Sequence, residues 1–105
     1  MQIQVHTDHH IDGTEKFATH VKAVVETELS RLSARISRVE VHVSDENGSK
    51  TGQDDKRCVM EARVEGHQPI AVTHKAGSID EAVHGAAEKL GRTVESTLDR
   101  IQDKR

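Results

Sequence analysis

Eight histidines in 105 residues are the first chemical feature of this chain. Imidazole ligates metals and exchanges protons near neutral pH, so a metal centre is the first chemistry to weigh. His6, Asp8, His9 and His10 lie close together, and His6 and His42 share the outer side of strands read below. A zinc site needs three or four converging ligands at a recognisable spacing, and neither an HExxH pattern nor a cysteine cluster occurs. The histidines read as solvated polar positions, and the expected metal set is none. Nucleophilic chemistry is no better supported. Ser44 beside Asp45, or Cys58 with His74, would require a convergence that nothing in the spacing supplies. There is no nucleophile elbow and no glycine-rich phosphate loop ahead of a helix. The expectation is no catalytic residue, no cofactor and no small-molecule substrate, hence no enzyme.

Cations offer a third chemistry. Arg38, Arg63 and Lys75 fall on one side of alternating stretches, with Lys56 and Arg57 at the end of a polar connection. Lys75 also stands just ahead of a helix start, where free N–H groups and the helix dipole favour anions. In "IAVTHKAGSIDEAV" the alternation carries His74 inward with Ile70 and Val72, and turns Lys75 outward. Glu40, Glu61 and Glu65 share the outer side, so a cross-strand pair such as Arg63 with a glutamate explains the same residues as sheet stabilisation. No Phe, Tyr or Trp lies there to stack a base. Both readings stand: an RNA-backbone surface and a solvated sheet face.

The elements that carry these residues follow from periodicity. "MQIQVHT" alternates as a first strand, and Asp12 with Glu15 gives a capping-box spacing for a helix whose stripe is Phe17, Val21, Val24, Val25, Leu29 and Leu32. "RVEVHVS", "CVMEARVEG" and "IAVTHK" alternate as three further strands, the last two joined by a short turn around Gly66 to Pro69. Residues 44–57, polar with two glycines, read as a mobile loop. Ser78 and Glu81 cap a second helix with the stripe Ile79, Ala82, Val83, Ala86, Leu90, Val94, Leu98 and Ile101, leaving residues 101–105 as a frayed tail. On its solvent side Lys89 and Arg92 accompany Glu88, and Glu95, Asp99 and Asp103 form an acidic row.

The order β-α-β-β-β-α predicts an α/β, two-layer (α+β) sandwich over residues 1–105. It has a four-stranded mixed sheet, two helices on one face and the other face wet. Hydrophobic residues make up 33% with Phe17 as the one aromatic, so the core is thin and leaves room for a homodimer. A net charge of −3 gives no bulk attraction to polyanions, which confines any RNA site to a local patch. Lone Cys58 sits in an alternating run as a buried strand residue. With no signal-peptide pattern and no stretch of ~20 apolar residues, the expected compartment is the cytoplasm, with no membrane partner.

The quoted strands "SRVEVHV" and "DKRCVMEARV", followed by "SIDEAVHGAAEKLGR", resemble the ribosome hibernation-promoting factor and ribosome-associated inhibitor family. The family is also labelled sigma-factor modulation proteins, and the resemblance covers residues 1 to about 100 in short form. It implies a stress factor that binds the small ribosomal subunit where messenger and transfer RNA otherwise lie. Contacts would be to ribosomal RNA backbone, silencing or protecting idle ribosomes. Lys89 and Arg92 match basic positions of the family helix. Arg38, Lys56, Arg57, Arg63 and Lys75 complete the expected RNA-binding set from the residue reading. The chain departs from the family pattern at Glu28, Asp80 and the acidic end "ESTLDRIQDKR". The alternative expectation is a diverged, non-enzymatic interaction module of the same fold that binds a protein partner or another RNA.

Overall fold

In the computed structural model the described residues are 1–8, 11–46 and 55–103. The elements are β1 (Gln2–Thr7), α1 (Glu15–Leu29), a 3₁₀ helix (Ser30–Arg35), β2 (Ile36–Asp45), β3 (Lys56–Val64), β4 (Ile70–Ala76) and α2 (Ile79–Asp103). The strands form one sheet in the order β1-β2-β3-β4. β1 runs parallel to β2, while β2–β3 and β3–β4 are antiparallel. The expected element order and mixed sheet are therefore the observed ones.

Alternation sets the layers. Val39, Val41 and Val43 of β2 face the helices with Cys58, Met60, Ala62 and Val64 of β3, and all are buried. From the other layer come Val21, Val24, Val25 and Leu29 of α1 with Ala82, Val83, Ala86, Leu90 and Val94 of α2. Small residues let α2 lie close to the sheet. At Gly85 an added methyl would overlap the His74 ring, so this glycine makes room for an imidazole beneath the helix. His74 thus points into the helix layer, as its parity requires.

Three local details differ from the sequence reading. α1 is capped by Thr14, whose Oγ1 accepts the Phe17 N–H at 3.0 Å, rather than by Asp12. The Asp12 carbonyl instead accepts the Thr14 N–H at 2.9 Å in a tight turn, which places the cap two residues later. β2 and β3 also run further than expected, to Asp45 and from Lys56, and the Glu46 N–H donates to the Asp55 carbonyl at 2.9 Å. Of the expected mobile loop, residues 47–54 lie outside the described residues. α2 continues through Asp103, and residues 104–105 of the expected tail also lie outside. The second capping box matches: Ser78 Oγ accepts the Glu81 N–H at 3.2 Å and lies 3.1 Å from the Glu81 carboxylate.

Candidate nucleic-acid interface

Strand register turns the open sheet face into four cross-strand rows. Arg38 pairs with Arg63, Glu40 with Glu61, His42 with His6 and with Val59, and Ser44 with Arg57, which in turn faces Lys75. The expected Arg63–glutamate cross-strand pair does not form, because register sets like charges opposite one another. Ion pairs form along a strand or off register instead. Arg38 Nη2 reaches Glu40 at 3.3 Å and donates to Gln4 Oε1 at 2.9 Å. Arg57 and Lys75 both approach Glu46, at 3.7 and 3.6 Å, and both remain about half exposed. Arg63 is exposed, with no ion-pair partner among the described residues.

This face therefore carries two basic rows, Arg38–Arg63 and Arg57–Lys75, about 20 Å apart at ~3.3 Å per strand residue. Between them lie an acidic row and an imidazole row. His6 and His42 stack with ring centroids 4.6 Å apart and planes 14° from parallel. Sequence reasoning placed both on this face but allowed it no stacking surface, because it counted only Phe, Tyr and Trp. Imidazole also stacks on bases, and the parallel pairing of β1 with β2 brings the two rings together.

The remaining expected RNA-binding residues do not join this face. Lys56 has the parity of Cys58 and Met60, so it lies on the helix-side rim between Asp55 at 2.9 Å and Asp45 at 3.5 Å. Its hydrogen bond holds the Asp55 carboxyl below the usual carboxylate range, and Asp55 in turn raises the Lys56 ammonium. Lys89 is half-buried rather than solvent-side: its Nζ donates to the Thr73 carbonyl at 2.8 Å and covers part of the β4 edge. Arg92 is exposed on α2, with Glu88 at 3.8 Å. Arg38, Arg57, Arg63 and Lys75 share the open face in two separate rows; Lys56, Lys89 and Arg92 lie off it.

Cys58 and His74, weighed above as a nucleophile and base, are direct partners across β3 and β4 on the inner face. Cys58 is fully buried, and burial pushes its thiol up to about 12. At neutral pH it is a protonated thiol out of reach of a substrate. Among the described residues no helix is long and apolar enough to cross a membrane.

No curated protein is detectably similar in sequence. The N-terminal domain of Protein Y from Thermus thermophilus is similar in structure, with a TM-score of 0.65 at 18% identity, covering 92% of this chain and 99% of that one. A ribosomal subunit interface protein from Coxiella burnetii is similar at a TM-score of 0.69 and 15% identity, covering 94% of this chain and 99% of that one. Residues 3–102 match the family described as sigma 54 modulation protein / S30EA ribosomal protein. The chain belongs to the sigma 54 modulation protein / S30EA ribosomal protein family.

Proposed function

We propose that the chain is a non-enzymatic, ribosome-associated factor of the cytoplasm that binds the small subunit. Its open sheet face would contact ribosomal RNA backbone and so silence or protect idle ribosomes. The observation that carries this reading is the facing pair Arg57–Lys75, with Arg38–Arg63 as a second basic row on the same uncovered surface. Family membership and the likeness to a ribosomal subunit interface protein support it. Exposed guanidinium and ammonium groups position a protein on phosphates without reading sequence, and stacked His6 and His42 present ring surface to an unpaired base. Lys56 and Lys89 contribute through structure, Arg92 through a separate helix surface.

The second reading, a diverged module that binds a basic protein partner or another RNA, draws on the acidic residues Glu95 and Asp99 of α2. One experiment separates the two. Purified protein is sedimented with small subunits through sucrose from 50 to 200 mM salt, beside an Arg57→Glu/Lys75→Glu variant and an Arg92→Glu variant. The ribosome reading expects co-sedimentation that weakens steeply with salt and is lost in the double variant. Arg92→Glu should be less affected. Wild-type protein left in the supernatant at 50 mM salt would reject the ribosome and direct attention to α2.

A further inference from the structure

We propose that His20, Asp80 and His84 form a surface site for a divalent transition-metal ion of the zinc class, pinning α1 to α2. His20 lies on α1, whereas Asp80 and His84 lie four residues apart on the first two turns of α2. Both imidazoles aim Nε2 at one oxygen: His20 Nε2 is 2.9 Å and His84 Nε2 3.5 Å from Asp80 Oδ1. The three ligand atoms lie within 4.8 Å of one another. A tetrahedral site with bonds of 2.0–2.1 Å has ligand–ligand edges of about 3.3 Å. Two of the three edges already bracket that value, so small rotamer adjustments close the site.

Ring orientation separates this cluster from the other grouping of the same composition. His6, Glu40 and His42 also approach one another, but those rings are stacked and nearly parallel. Imidazole lone pairs lie in the ring plane, so two stacked rings cannot both aim at one ion. The His20 and His84 rings are inclined at 58° with centroids 6.2 Å apart, which lets their lone pairs converge. Two imidazoles and one carboxylate suit zinc, copper or nickel over magnesium or calcium. With the ion bound, each neutral imidazole would carry its one ring proton on Nδ1 and present its Nε2 lone pair to the ion, in place of the His20–Asp80 hydrogen bond.

Place supplies a reason for the site. His20 and His84, with Ala23, Val24, Thr27 and Glu28, line a groove of about 200 Å³ between the helices. An ion bridging His20 on α1 to Asp80 and His84 on α2 would hold the helices together and leave its fourth position open to water or an external ligand. Sequence reasoning found no site because His20 stands 60 residues from Asp80. The Asp80–His84 spacing on one helix face was the available signal.

The test is calorimetric titration of the full chain with zinc chloride at pH 7.5. Zinc-induced shifts of backbone amides are followed by NMR, beside His20→Gln, His84→Gln and the control His6→Gln/His42→Gln. The expected result is one ion bound at micromolar concentration, with shifts centred on residues 19–21 and 80–85. Affinity should fall at least tenfold in each single variant and be unchanged in the control. Thermal unfolding in EDTA checks that the variants fold as the wild type does. Absent binding, binding unchanged in the His20 and His84 variants, or wild-type shifts centred elsewhere would each overturn the proposal.

Discussion

Glu46 governs how much positive charge the open face presents. It approaches both Arg57 and Lys75, so the basic row best placed for phosphate is partly neutralised from within. Exposed pairs of this kind are worth ~0.2–1 kcal/mol each. Replacing Glu46 with Gln should therefore tighten binding to small subunits roughly two- to fivefold and steepen the salt slope by about one, read from sedimentation across a salt series. The Asp55–Lys56 pair has the opposite character, since it serves the fold. The Asp55 carboxyl is depressed in the folded state, so its contribution is present above the unfolded value of ~3.9 and is lost as pH falls through the folded value. The Lys56 ammonium is raised, so its contribution persists below ~10.4 and is lost as pH rises through the folded value. Urea unfolding from pH 2 to 7 should show an acid-side loss that Asp55→Asn flattens. At this scale, parity alone revealed which way His74 and Lys75 point. Parity also places Lys56 on the inner side, but β3 had to be known to begin at residue 56 before that rule could be applied.

Two glycines of α2 show how an element meets its neighbours. Gly85 faces the His74 ring, whereas a methyl at Gly91 would lie 3.5 Å from Leu29 Cδ2 and 3.6 Å from the Glu28 carbonyl, at ordinary contact. Gly85→Ala should therefore destabilise by about 1–3 kcal/mol, and should cost much less in a His74→Ala background, where the obstructing ring is gone. Gly91→Ala should be neutral to stabilising by up to ~1 kcal/mol, because alanine removes the backbone entropy that glycine loses in a helix. Paired chemical denaturation curves check both. The elements themselves were legible because stripes of period 3.6 and 2 are strong, and both helices and all four strands follow them. The α1 cap was not: Asp12 and Thr14 both offer a side-chain oxygen, and only the turn closed by the Asp12 carbonyl selects between them. Cross-strand partners were hidden for a related reason. Alternation assigns a face but not a register, so the Arg38–Arg63 and Glu40–Glu61 oppositions could not be read from it.

At the scale of the molecule, a single apolar layer lies between sheet and helices, and Cys58 occupies its centre with no exposed surface. With its thiol raised to about 12 and sealed in β3, it should react with a disulfide reagent at pH 8 only when the core opens. Labelling should be slower than that of an unfolded control by about a thousandfold or more, and core-destabilising substitutions should accelerate it about tenfold for every ~1.4 kcal/mol of stability lost. That makes the native cysteine a built-in reporter of global opening. Sheet order carries a further consequence, for biosynthesis. Among the described residues β1 borders β2 and no other strand. During synthesis β1 and α1 precede β2, the strand that completes the β1 ladder and ends at Asp45. Until then Ile3, Val5 and the apolar stripe of α1 have no sheet to cover. Among the described residues β2, β3 and β4 follow one another with no helix between them, and α2 then packs on β3 and β4. During synthesis β1 thus stays unpaired until β2 has been made, and docks onto that later strand.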